Sequence, residues 1–186
     1  VPADKVLVGA DLSGLELRCL AHYMKSDTYT KELLTGDIHT VNQKLAGLKT
    51  RDKAKTFIYA FLYGAGDAKI GSIVGRDSSV GKTIKERFLE NTPSLAKLKQ
   101  KVGKASDKGY LKALDGRHIR VRSEHAALNF LLQSAGAIIA KRAWVIFHEL
   151  ATHLNYKQLG VIHDEIQIEC RPEDAEEIGR LTVKAM

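Results

Sequence analysis

Proline and cysteine are both scarce in this chain. Its three prolines, Pro2, Pro93 and Pro172, leave long stretches free to form helix or strand. The two cysteines, Cys19 and Cys170, lie far apart in apolar-rich segments. Nothing in their placement suggests a disulfide scaffold or a metal cluster, so a reducing compartment is expected. No run of 18 apolar residues occurs, so no membrane span is expected. No basic-then-apolar segment opens the chain, and no low-complexity tract, long linker or internal repeat appears.

What is present fits a folded domain, with or without a small subdomain: 186 residues, 44% hydrophobic and 27% charged. Lysine and arginine exceed aspartate and glutamate by 29 to 22, giving a net charge of +7. That field favours a polyanionic partner such as nucleic acid, although composition alone does not decide it.

Periodicity divides the chain. Val6 to Ala10 is a short apolar run that predicts a buried strand ending at Asp11. Leu15 to Met24 predicts a helix, and Asp37-Ile38-His39 begins another. Thr50 is placed to cap a helix over Arg51 to Tyr63, closed by Gly64 and Gly66. Residues 71–81, rich in Gly and Ser, read as a loop, followed by a helix over 82–90. Asn91 to Pro93 breaks that helix, and Ser94 is the expected cap of the next. Residues 108–122 are basic, and Asp115-Gly116 predicts the turn of a hairpin or extended arm. Residues 123–154 predict a long helix, apolar around most of its circumference, with a break near Gly136. From Leu159 to Cys170 the period changes to two, which predicts a hairpin turning at His163-Asp164 with one face buried. A last helix should start near Pro172 and bury Ile178, Leu181 and Ala185. The expected fold is α+β: a small antiparallel sheet backed by helices, with a mainly helical subdomain inserted between the first strand and the hairpin.

Asp11, Asp164 and Glu165 end or interrupt apolar strands. A carboxylate there is costly unless paired. Asp164 alone is also a common turn former. Read together, such carboxylates suit magnesium, which is held by one or two of them plus substrate phosphates. Spacing does not bring Asp11 and Asp164 together, since they are 153 positions apart. Two near-misses are set aside. Gly81-Lys82-Thr83 resembles the end of a phosphate-binding loop, but Arg76 stands where the first glycine is required. His148-Glu149 is followed by Thr152, not by the histidine that a zinc-protease helix needs.

Three segments carry a resemblance. Asp11-Leu12-Ser13-Gly14-Leu15-Glu16-Leu17-Arg18 is similar to the first palm motif of family A DNA polymerases. The run from Arg51 to Gly64 resembles their fingers-helix motif, and His163-Asp164-Glu165 their third motif, in the same order. Thr56 to Gly66, Phe88 to Pro93 and Ala126 to Gly136 resemble the replicative polymerases of T-odd phages within that family. Ten residues precede Asp11 and 21 follow Glu165, so the resemblance implies a palm and fingers segment only. It implies a first part of the palm over residues 1–35, a fingers-like helical subdomain and basic arm over 36–122, and a second part of the palm over 123–186.

The resemblance implies template-directed DNA synthesis by two-metal phosphoryl transfer. Asp11 and Asp164 would hold two Mg²⁺ ions, with Glu165 a supporting carboxylate. Glu16 would lie under the incoming sugar, and His39 would contact the triphosphate. Arg51, Lys55, Tyr59 and Tyr63 recur every four residues and so share one helix face. By resemblance they bind the deoxynucleoside triphosphate; without it, they read as solvent-facing cations beside two core-edge tyrosines. Asn129, Gln133 and His163 would contact the primer-template DNA. Arg117, Arg120 and Arg122, with His118, form a basic cluster suited to DNA phosphates or to a solvated face. The expected setting is a phage-encoded enzyme acting in the host cytoplasm, with no membrane partner and a processivity partner only in a full-length protein. The alternative is a nucleic-acid-binding polymerase fragment without catalysis.

Overall fold

The computed structural model describes residues 2–186. In chain order it runs β1 (Val6–Asp11), α1 (Leu15–Met24), α2 (Asp27–Thr35), α3 (Ile38–Ala46), α4 (Arg51–Leu62), α5 (Asp67–Ile73), α6 (Ser78–Glu90), α7 (Pro93–Ser106), β2 (Tyr110–Lys112), β3 (His118–Arg120), α8 (Ala127–Leu150), β4 (Tyr156–Ile162), β5 (Glu165–Cys170) and α9 (Ala175–Ala185), with a 3-10 turn before each of α8 and α9. This is the α+β arrangement expected. The described chain forms two compact units, one made of residues up to Glu16 with Ser134–Met186, the other of Leu17–Gln133.

The first unit is built on a three-stranded antiparallel sheet in the order β1-β5-β4. Alternation along β5 sends Ile166, Ile168 and Cys170 inward, where they meet Ala143, Phe147 and Ala151 from the end of α8 and Ile178, Leu181 and Ala185 of α9. Val6 and Val8 of β1 pack on the same cluster. The opposite face of the sheet therefore carries Asp11, Glu165 and Gln167. The turn between β4 and β5 lies at His163-Asp164, as the change of period predicts. Helix α8 shows no break at Gly136. A β-carbon there would lie 3.2 Å from Leu15 Cδ2, so this glycine admits a neighbour rather than bending the helix.

The second unit is helical apart from the β2–β3 hairpin. Thr50 caps α4 as expected, its hydroxyl accepting from the Lys53 N–H at 3.3 Å. Phe57, Phe61 and Phe88 form the aromatic centre, with Phe57 and Phe61 each edge-on to Phe88 at 5.1 and 5.5 Å. The loop expected over 71–81 is not one, because α5 reaches Ile73 and α6 starts at Ser78. Of the three glycines in this stretch, Gly75 lies in the turn, while Gly71 and Gly81 are helical and set a close crossing. A β-carbon at Gly71 would fall 1.9 Å from the Asp77 carbonyl, and one at Gly81 would fall 1.9 Å from the Asp67 carbonyl. Helix α2 is additional to the helices that periodicity predicts, and Ser94 does not cap α7. Thr92 holds the cap position, and Pro93 opens the helix. One segment, Glu124–Leu150, is by length and composition apolar enough to cross a membrane, which counting uninterrupted apolar runs misses. A core helix passes the same test, and Ala143 and Phe147 of this one are buried in the sheet's core.

Candidate functional site

The first unit assembles its acidic site from β1 and the β4–β5 turn. Asp11 is the register partner of Glu165, and the Leu12 N–H donates to the Asp164 carbonyl at 3.1 Å. Residues 153 positions apart thus become neighbours through one antiparallel ladder. Partial desolvation, and then the Asp164 and Glu165 carboxylates beside it, push the Asp11 carboxyl above its ordinary range. Glu165 Oε1 accepts from the Gln167 amide at 3.4 Å and lies over Gly9, where a β-carbon would come within 2.6 Å of it.

No group of three or more His, Cys, Asp or Glu side chains is placed to share a metal among the described residues. Two neighbouring carboxylates, Asp11 and Asp164, are still the donor set magnesium takes when phosphates complete its shell. The residues present therefore fit such an ion. His163 stands in the turn with φ of 59°, a left-handed conformation that non-glycine residues rarely adopt. Glu16 opens α1, one turn beyond Asp11.

The second unit holds the cationic stripe. Arg51, at the start of α4, is bound by Asp37: Nε donates to Oδ2 at 2.6 Å and Nη2 to Oδ1 at 3.1 Å. Asp37 also caps α3, accepting from the His39 N–H at 3.2 Å and the Thr40 hydroxyl at 2.7 Å. Four donors, chiefly the Arg51 guanidinium, hold its carboxyl well below the usual range. Sequence reasoning missed Asp37; its position one residue before a helix, with Thr40 three residues on, was the available signal.

His39 lies 6.2 Å from the Tyr59 ring, centre to centre, and its Nδ1 is buried without a hydrogen-bond partner. Burial, then the Arg51 and Lys55 charges, lower its pKa, so the imidazole is neutral at pH 7. Further along α4, the Tyr63 hydroxyl accepts from the Gln133 amide at 3.2 Å. The structure thus sets His39 beside Tyr59 and within the field of Arg51 and Lys55 along α4, and joins Tyr63, the residue that closes the helix, to Gln133. Asn129, half-buried, lies one turn before Gln133 on α8.

The basic arm is the β2–β3 hairpin, in which Tyr110 stacks on His118 at 4.0 Å. Arg117 folds back on Asp115 at 2.6 Å, while Arg120 and Arg122 are exposed. The phosphate-loop reading of Gly81-Lys82-Thr83 also meets a structural obstacle, because the Asp77 carboxylate occupies the start of α6 by accepting from the Ser79 and Val80 N–H groups.

The sequence profile of DNA polymerase family A matches residues 1–186. The DNA-directed DNA polymerase of Enterobacteria phage T3 is 48% identical over 91% of this chain, and that of Escherichia phage T7 is 46% identical over 93%. The chain spans 28% of the length of each. The POL domain of Pol1 from M. smegmatis, solved in complex with DNA primer-template and dNTP, shares the fold with a TM-score of 0.86 at 21% identity. That match covers 100% of this chain and 37% of the solved one. With a profile matched end to end and phage polymerases approaching half identity, this chain belongs to DNA polymerase family A.

Proposed function

We propose that this chain supplies the palm and fingers of a phage-encoded, template-directed DNA polymerase that extends a primer 3′ end in the host cytoplasm. The observation that carries the reading is the Asp11–Asp164 pair on the solvent side of the sheet, with Asp11 raised by partial desolvation and then by its neighbour. The sheet-bearing unit takes the palm role and the α4-bearing unit the fingers role. Asp11 and Asp164 would hold two Mg²⁺ ions, with Glu165 supporting them. Such ions supply charge neutralisation and activation of the attacking hydroxyl.

The chain's own residues do the rest. Arg51 meets phosphate oxygens with the same fork it now gives to Asp37, and Lys55 adds a point charge one turn along. Neutral His39 offers one N–H donor to the triphosphate without adding charge. Tyr59 and Tyr63 present ring faces toward sugar and base, and Glu16 packs under the sugar. Asn129, Gln133 and His163 contact the primer-template duplex, and Arg117, Arg120 and Arg122 contact its phosphates. For Arg117 this requires release from Asp115.

The test is Lys55→Ala in the full-length polymerase. Triphosphate use should weaken about tenfold or more, with duplex affinity and its salt dependence unchanged. An equal loss of duplex affinity would assign Lys55 to the DNA backbone instead.

A further inference from the structure

The helical unit contains a second cationic site that the polymerase reading does not use. A cavity of about 310 Å³ opens where the end of α3, the start of α4, the turn after α5 and one face of α6 meet. That is the lower end of the size range of small-ligand pockets. Its walls carry four cations, Lys49, Lys53, Arg76 and Arg87, and no carboxylate. None of the four takes part in an ion pair among the described residues. Asp77, beside Arg76, is engaged in capping α6. The floor is apolar, made by Leu48, Val74, Val80 and Ile84.

Three features make this more than a solvated basic face. Val80, Thr83, Ile84 and Arg87 line the cavity at helical spacing, so one face of α6 is given over to it. Arg87 is seated by Gly47, which ends α3 with φ of 67°; a β-carbon there would collide with the guanidinium, so the absence of a side chain leaves Arg87 its place. Finally, Lys53 lies two residues from both Arg51 and Lys55 on α4, about 200° around the helix at 3.6 residues per turn. The cavity therefore faces away from the stripe assigned to the triphosphate.

We infer that this cavity binds a run of phosphate groups, with its cations on the oxyanions. Arginine and lysine together suit phosphate, one through its planar fork and the other as a mobile point charge. Converging positive charge around a concave, partly apolar wall is unfavourable until an anion fills it. Two sources share this chemistry: a single nucleic-acid strand running over the helical unit, and free polyphosphate.

The test compares the protein with a Lys53→Gln/Arg76→Gln double variant, and with Lys53→Arg as the charge-conserving control. The probes are a labelled single-stranded oligodeoxynucleotide, inorganic tripolyphosphate and an oligo-aspartate peptide, each titrated over a salt series, with circular dichroism confirming the fold. Loss of two strand contacts lowers the slope of log K against log salt by about 1.4. That change in the double variant, with Lys53→Arg near the parent, supports a strand site. Weakened tripolyphosphate binding with strand binding unchanged supports the free-polyphosphate source. Unchanged affinity and slope for both probes overturns the proposal. So does a loss confined to an oligo-aspartate peptide, which would assign the cavity to an acidic protein segment.

Discussion

Asp37 holds Arg51 by both carboxylate oxygens, at 2.6 and 3.1 Å, and so occupies the fork that the polymerase reading assigns to a triphosphate. The same carboxylate caps α3 beside His39, so one acidic group joins the starts of two helices.

Asp37→Asn keeps an acceptable cap but removes the charge that competes for Arg51. Apparent triphosphate affinity is expected to rise, by up to about tenfold, while the thermal midpoint falls slightly. The pH sign follows from the lowered Asp37 pKa. A depressed carboxylate contributes stability that is present above its unfolded pKa and is lost as pH falls through the folded one. The Asn variant should therefore lose the parent's acid-side stability decline at this site. Steady-state kinetics beside thermal melts from pH 7 down to strongly acid buffer check both parts; reduced triphosphate affinity would make Asp37 a positioning group for Arg51 instead.

Gly71 and Gly81 give a prediction opposite to helix propensity. Alanine in a helix ordinarily stabilises by about 1 kcal/mol over glycine. Here a β-carbon would sit 1.9 Å from a backbone carbonyl at either position, and backbone cannot swing aside. Gly71→Ala and Gly81→Ala should each cost roughly 3 kcal/mol through overpacking. Urea denaturation reads this directly, and a stabilised variant would mean that the α5–α6 crossing is looser than described.

His163 sits in the β4–β5 turn with φ of 59°, where glycine carries no steric cost. His163→Gly should raise stability by about 1 kcal/mol and lower primer-extension activity in the full-length protein. Strain held at a site for function has this signature. A destabilised variant would show that the histidine ring contributes more to the turn than its backbone costs.

Much of this architecture is legible in the order of residues alone. Thr50 announces α4, and alternation from Ile166 to Cys170 announces the buried face of β5. The hairpin turn, and with it the place of Asp164, follows from a change of period. The losses have physical causes. Gly71 and Gly81 look like chain breakers because sequence does not distinguish a glycine needed for flexibility from one needed for close approach. Gly136 misleads in the same way within α8. The Asp37–Arg51 pair spans two helices, and no periodic pattern links residues 14 positions apart across a turn. The meeting of Asp11 with Asp164 rests on family resemblance in the sequence, and the β1–β5 register supplies its geometric reason.

The central claim is that Asp11 and Asp164 are the metal-holding pair of a polymerase. It is tested most directly by single-nucleotide incorporation on a primed template with Mg²⁺, using full-length polymerase and its Asp11→Asn and Asp164→Asn variants. Because Asp11 is raised by desolvation and by its neighbour, its charge weakens the metal-free fold as pH rises above its unfolded pKa and through its folded one. Asp11→Asn should therefore fold at least as well as the parent. Incorporation should fall about a thousand-fold or more in each variant, with duplex binding retained. A rate within a few-fold of the parent in either variant would contradict the account.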